Sequence, residues 1–170
     1  MRFLLLGAGR AARACYNRLT WPSVMPKRFN LDQAQSLLPE VDRLLREAIA
    51  AKSAYDEVEQ SIQSFAERVM MSGGIAVKRE DVLGRRSLRD SSAARLRSAI
   101  EQVQELGCVV KDLDMGLVDF PTTFRGAEVY LCWKMGEPDI AFWHGVDEGF
   151  RGRKAIDQDF RDHHHGDRAQ

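Results

Sequence analysis

The chain has 170 residues, of which 44% are hydrophobic and 29% are charged. This composition is typical of a globular domain and excludes an intrinsically disordered chain. The 25 basic residues equal the 25 acidic residues, so no net charge attracts nucleic acid or an anionic membrane. No apolar run approaches the roughly 18 residues that span a bilayer.

The cysteines indicate a reducing compartment. Cys15, Cys108 and Cys132 are odd in number and lack the short spacing of a metal-binding motif. An odd, widely spaced set favours free thiols over a disulfide framework. We therefore expect a cytoplasmic protein.

The first residues differ in composition from the rest of the chain. Residues 1–28 contain six bases and no acid. Their Gly7-x-Gly9-x-x-Ala12 pattern resembles a dinucleotide-binding turn, but such a turn requires a second parallel strand. Here Trp21-Pro22 interrupts the chain, and a long helix follows instead of a strand. We predict that residues 1–24 are a disordered leader or a mis-assigned start; in the second case Met25 is the natural start.

A long helix is predicted next. Asn30 and Gln33 have the spacing of a capping box, and Pro39 predicts a kink or a second helical segment soon afterwards. Between residues 41 and 69, apolar residues recur at alternating steps of three and four, the repeat of a coiled-coil seam.

A second helix is predicted over residues 91–106, and its length does not match that of the first. At 1.5 Å per residue the seam from residue 41 to residue 70 is about 45 Å long, whereas the second helix is about 24 Å long. One partner helix covers the seam only if it begins near Glu80. Otherwise the uncovered part requires a second subunit, so a homodimer through the 41–69 helix is expected.

The sequence period then changes from helical to two. Strands are predicted at residues 108–113, 117–120, 128–135 and 140–144, with turns at glycine and proline between them. Alternation places Val129 with Leu131 and Trp133 on one side, which we expect to pack on the helices. Pairing across the last turn adds Phe142 and His144 to that side, and adds Trp143 to the side of Tyr130 and Cys132.

The predicted fold is therefore α+β: a long coiled-coil-like helical hairpin followed by a small antiparallel sheet of three to four strands. One domain is expected over residues 25–157. Residues 158–170 include His163-His164-His165 and are predicted to form a mobile polar tail.

Four motifs in the second half resemble one known family. They are LGCVVKDLDMGLVDFP at 106–121, VYLCWKMGEP at 129–138, FWHG at 142–145 and GFRGR at 149–153. In this order they resemble the uncharacterised bacterial family known as domain of unknown function 2203. The resemblance spans about residues 29–156. It implies a shared fold and a cytoplasmic bacterial protein, but no catalytic role for any residue.

Polar residues near the strand ends form the candidate site. Carboxylates with one imidazole are able to bind a divalent metal, and the metal candidates are Asp112, Asp114, Asp119, Glu137 and His144. Other residues are candidates for binding a ligand, either by guanidinium groups or on an aromatic surface, and they are Lys111, Asp112, Trp133, Trp143, Arg151 and Arg153. Turn hydrogen bonds and a core histidine are the favoured explanation for several of these residues.

Two functions remain open. The first is a non-catalytic interaction or regulatory module that dimerises through the long helix, with a protein partner at the sheet. The alternative is a small metal-assisted enzyme, such as a hydrolase, that uses the acidic residues and His144. Nucleic-acid binding is not expected, because Arg85 and Arg86 lack a neighbouring aromatic stacking surface. No membrane partner is expected.

Overall fold

A computed structural model describes residues 27–73 and 78–167. The predicted leader, the dinucleotide-like pattern, Cys15 and Met25 lie outside these residues. Two long helices precede an antiparallel sheet, as predicted. No helix in residues 27–73 or 78–167 contains a stretch long and apolar enough to cross a bilayer.

Helix α1 spans Leu31–Met71 and begins with the predicted capping box. The Gln33 N–H donates to Asn30 Oδ1 over 2.8 Å, and the Asn30 N–H donates to Gln33 Oε1 over 3.0 Å. These bonds satisfy two N–H groups that a helix start otherwise leaves unpaired. The helix continues through Pro39, so the chain does not divide into two helices there.

Helix α2 spans Arg79–Glu105 and therefore begins well before the predicted residue 91. It runs antiparallel to α1, because Arg85 donates to Ser61 and Arg89 lies 3.7 Å from Glu59. An early start near Glu80 is the condition under which a single chain covers its own seam. The length mismatch therefore no longer requires a second subunit.

The sheet contains more strands than the three to four predicted. Its strand order is β1-β2-β3-β4-β5, all pairs are antiparallel, and β6 adds to β2. The strands are β1 (Val109–Asp112), β2 (Leu117–Phe124), β3 (Ala127–Lys134), β4 (Phe142–Gly145), β5 (Lys154–Ala155) and β6 (His164–His165). The first four correspond to the predicted strands.

One face of the sheet packs on the helices, as expected from its apolar residues. Val129, Leu131 and Trp133 lie in the same buried core as Val41 and Leu44 of α1. This core joins the helical hairpin to the sheet as one folded unit.

The predicted pairing of β3 with β4 is wrong by one residue. Leu131 pairs with Trp143 and Cys132 pairs with Phe142, so Phe142 and His144 lie on the face opposite the helices. The reason is the conformation of the segment between β3 and β4. Ile140 in this segment is buried in the core, and its N–H donates to Gln35 Oε1 of α1 over 3.2 Å. Regular pairing starts only at Phe142, and a shift of one residue exchanges the two faces of a strand.

The segment after residue 157 also differs from the mobile tail that was predicted. Helix α3 (Gln158–His163) places Phe160, which is 1% exposed, in a stack with the rings of Phe124 and Trp143, each at 4.9 Å. The next residues form β6, and the Leu31 N–H donates to His164 Nε2 over 3.0 Å. Residues 158–167 are thus part of the folded domain, because one aromatic side chain anchors a polar segment.

Replacing Phe160 with alanine tests this correction. Phe160→Ala should lower the free energy of unfolding by about 3–5 kcal/mol, the usual cost of deleting a buried phenylalanine ring. Phe150→Ala is the control, because the Phe150 side chain is 37% exposed. Chemical denaturation measures both variants. Equal, small effects would show that residues 158–167 are a mobile tail after all.

Candidate functional site

The face opposite the helices brings three side chains from three strands together. Asp119 of β2 pairs directly with Cys132 of β3. Cys132 also pairs with Phe142 of β4, two residues before His144 on the same face. One oxygen of Asp119, the Cys132 sulfur and one His144 nitrogen lie within 4.8 Å of one another. We call Asp119, Cys132 and His144 the buried polar cluster.

All three residues of this cluster are 1% exposed. His144 Nε2 lies 3.2 Å from Asp119 Oδ2, and Lys111 Nζ lies 3.7 Å from the same oxygen. Neither contact has hydrogen-bond geometry, so both Asp119 oxygens lack a hydrogen-bond partner within residues 27–73 and 78–167. A buried carboxylate in this condition is strongly destabilising, and it requires a partner to offset its lost hydration.

The orientation of His144 is determined by its other ring nitrogen. His144 Nδ1 lies 2.7 Å from the carbonyl oxygen of Gly145. A carbonyl oxygen accepts only, so Nδ1 carries the hydrogen and donates it. In the neutral ring, Nε2 then has a free lone pair that faces the Asp119 carboxylate.

The Cys132 thiol is not activated as a nucleophile. Burial raises its pKa to about 12, and the negative charge of Asp119 adds to this effect. The sulfur is therefore a protonated thiol at neutral pH, and the thiolate is the nucleophilic form. The cluster contains the residue types of a Cys–His–Asp triad, but the protonation state of its thiol does not match that chemistry.

Two of the predicted metal candidates lie apart from the cluster. Asp112 Oδ1 accepts the Met115 N–H over 2.9 Å, which closes the turn between β1 and β2. Asp114 pairs with Lys52 of α1 over 3.0 Å and is largely exposed. Of the predicted metal candidates, the structure brings only Asp119 and His144 together.

Glu137 holds the connection between β3 and β4. Its carboxylate accepts both Arg153 Nη1, over 2.8 Å, and the Lys134 N–H, over 2.9 Å, while its carbonyl oxygen accepts the Trp133 indole N–H over 3.0 Å. Burial by itself would raise the pKa of Glu137, but the hydrogen bonds from Arg153 and Lys134 lower it overall. Glu137 therefore has a structural role in this connection.

The remaining ligand candidates are dispersed. Trp133 is buried on the helix face, and Trp143 stacks with Phe160. Arg153 Nη2 donates to the Cys132 carbonyl oxygen over 3.1 Å, and its guanidinium lies 4.2 Å from the centre of the Phe142 ring. Lys111 lies over the Tyr130 ring at 4.6 Å, and Arg151 is exposed. Of these residues, only Lys111 and Arg153 border the buried polar cluster.

Cys132 was not among the predicted metal candidates. The signal that could have identified it is its position opposite Asp119 once β2 and β3 are paired through the short turn at Arg125-Gly126. That pairing follows from the turn, whereas the position of His144 depends on the less regular connection after β3.

The motifs on β1 to β4 also identify the family. Residues 27–156 match the family model described as "Uncharacterized conserved protein (DUF2203)". The chain belongs to this family. None of the curated proteins and none of the solved structures compared with the chain matches it. The DUF2203 region ends before α3, so it contains the whole buried polar cluster but not the Phe160 anchor.

The role of Glu137 leads to a pH-dependent prediction. Folding lowers the pKa of this carboxyl, so its stabilising effect is present above the unfolded-state pKa and is lost as the pH falls through the folded-state value. Glu137→Gln should cost on the order of 1–3 kcal/mol at neutral pH, and this difference should disappear in acid.

The control for this prediction is Asp139→Asn, because Asp139 lies in the same connection, is exposed and has no ion pair within the described residues. Thermal denaturation of both variants against pH provides the measurement. A Glu137→Gln difference that does not change with pH would contradict the proposed structural role.

Proposed function

We propose that this chain is a non-catalytic interaction protein of the cytoplasm that forms a homodimer through the distal end of its helical hairpin. We define this distal end as residues 61–71 of α1 and 79–90 of α2. The observation that carries the proposal is exposed apolar surface. Five of the eight large hydrophobic side chains that are exposed within the described residues lie here, namely Met70, Met71, Val82, Leu83 and Leu88.

The side chains between the two helices change from apolar to polar along the length of the hairpin. Near the sheet, α2 contributes Leu96, Ala99 and Val103 at alternating steps of three and four. Towards the distal end the same stripe continues as Ser92, Arg89 and Arg85, so polar side chains face α1. Leu83 and Leu88 lie off this stripe and are more than half exposed, whereas Val82 continues the stripe and is 37% exposed.

The opposite side of this seam shows the same change. Val41, Leu44 and Ala48 of α1 are buried, but Phe65 and Val69 are only partly covered. Arg85 covers Phe65 with its guanidinium, 5.2 Å from the ring centre. A partner subunit therefore has access to the distal part of the predicted 41–69 seam, and the proximal part is already covered by the chain itself.

The charges around this surface favour a second copy of the same chain. The distal end also contains three acids and two bases that are all exposed, namely Glu67, Glu80, Asp81, Arg79 and Arg86. None of these five residues has an ion pair within residues 27–73 and 78–167. In a two-fold dimer each patch meets its own copy, so apolar side chains flanked by both signs of charge are self-complementary.

The alternative of a metal-assisted enzyme receives less support. The predicted acidic group is divided between the turn at Asp112, the ion pair of Asp114 and the connection held by Glu137. The three side chains of the buried polar cluster are each only 1% exposed, so they offer almost no surface to a substrate. A cytoplasmic location agrees with the free thiols of Cys108 and Cys132.

Charged substitutions at the distal end test the dimer. The double variant Met71→Glu/Leu83→Glu should weaken self-association by more than about tenfold, which corresponds to 1.4 kcal/mol, because it places like charges on both sides of the interface. Sedimentation equilibrium over a micromolar concentration range measures the dissociation constant. The fold should be unchanged, since both replaced side chains are exposed.

Met115→Glu is the matched control. Met115 is also an exposed methionine, at 41%, but it lies in the turn between β1 and β2. Its replacement should leave the dissociation constant unchanged. A wild-type chain that sediments as a monomer, or a dimer that Met115→Glu disrupts equally, would refute the proposed interface.

A further inference from the structure

The buried Asp119 carboxylate lacks the hydrogen-bond donors that a buried negative charge requires. Both of its oxygens are without a hydrogen bond from any described residue, although Asp119 is only 1% exposed. Besides His144, the basic side chain next to it is Lys111, whose Nζ lies 3.7 Å from Oδ2 and whose side chain is 41% exposed. Its exposed amine is a weak partner, because water screens much of its charge. An additional cation at the carboxylate would resolve this imbalance.

His144 indicates where that cation would lie. Its Nδ1–H is committed to the Gly145 carbonyl oxygen, so the lone pair of Nε2 faces Asp119 Oδ2 at 3.2 Å. Two electron-rich groups at this distance repel unless a positive charge lies between or beside them. A histidine that donates one N–H to a carbonyl oxygen while the other nitrogen is free is also the usual arrangement of a metal ligand.

Cys132 completes a set of three possible metal-ligand atoms: a sulfur, a nitrogen and an oxygen. Its sulfur, Nε2 of His144 and a carboxylate oxygen of Asp119 are within 4.8 Å of one another. We propose that these three residues bind one divalent transition-metal ion, with zinc as the best chemical match. Sulfur and imidazole nitrogen favour zinc over magnesium or calcium, which select oxygen ligands.

The charges balance once the ion is bound. On binding, the Cys132 S–H bond breaks, its proton leaves to solvent, and the sulfur electron pair forms the bond to the metal. One aspartate, one thiolate and one neutral imidazole then offset the two positive charges of the ion. The buried polar cluster becomes neutral as a whole, whereas without the ion it contains a carboxylate that accepts no hydrogen bond from any described residue.

The consequence for the protein is structural. Asp119, Cys132 and His144 belong to β2, β3 and β4, so one ion connects the three central strands on the face that the helices leave uncovered. The described residues contribute no fourth His, Cys, Asp or Glu to this group. Zinc prefers four ligands, so a neutral water molecule would supply the fourth.

Cobalt(II) provides a direct test, because a cobalt–thiolate bond produces a charge-transfer absorption band that nitrogen and oxygen ligands do not. The full chain should bind one cobalt per molecule with this band, and one equivalent of zinc should abolish the band. Cys132→Ala should remove it. Cys108→Ala and Cys15→Ala should each retain it, and Cys108 is a matched control because its thiol is also buried.

Asp119→Asn provides a second test that does not depend on the thiol. Asparagine has nearly the same shape and no charge, so the variant should fold. Its zinc affinity should fall by more than about tenfold, the lower end of what even an outer-shell substitution costs. Competition with a chromophoric chelator measures this affinity. In the wild type, zinc should raise the melting temperature, and in Asp119→Asn this increase should largely disappear.

Two results would overturn the metal site. One is a chain that binds neither cobalt nor zinc. The other is cobalt that binds without the thiolate band and is unaffected by Cys132→Ala, which would place the ion elsewhere, for example at His163-His164-His165. The dimer test is independent of both results, because it uses the opposite end of the molecule.

Discussion

Cys132 of β3 pairs with Asp119 of β2 on one side and with Phe142 of β4 on the other. These two pairings determine which side chains of the three strands lie on each face of the sheet. They direct Leu131 and Trp133 towards the helices, where these residues form the shared core. They also direct Asp119, Cys132 and His144 to the opposite face. A shift of one residue in either pairing would separate these three side chains, because neighbouring residues of a strand point to opposite faces.

The helical hairpin shows a related division of roles along its length. Close to the sheet, both helices contribute apolar side chains to the seam, and burial of these side chains stabilises the fold. At the distal end, Arg85 and Arg89 replace the apolar residues of α2, and they bind Ser61 and Glu59. Exposed ion pairs of this kind stabilise a helix pair only weakly. The distal end therefore retains exposed apolar side chains, while the proximal end anchors the sheet.

Part of the candidate site could be predicted from the sequence. The motifs around Asp119 and His144 single out both residues, and both belong to the buried polar cluster. Asp112, Asp114 and Glu137 give the same sequence signal, because they are also close to the strand ends. The structure gives each of these three acids a different partner. Cys132 escaped notice because a lone cysteine in a strand has no local pattern that distinguishes a ligand from a core residue.

By itself, the sequence determined the features that depend on neighbouring residues. The capping box at Asn30, the apolar repeat of α1 and the turns between the first four strands follow from spacing along the chain, and they suffice to predict the α+β class. Tertiary structure decided the early start of α2, the β3–β4 register and the docking of α3 through Phe160. Each of these depends on contacts between distant residues: Arg85 with Ser61, Ile140 with Gln35, and Phe160 with Phe124. Such contacts form only when the chain has folded, and no local repeat encodes them.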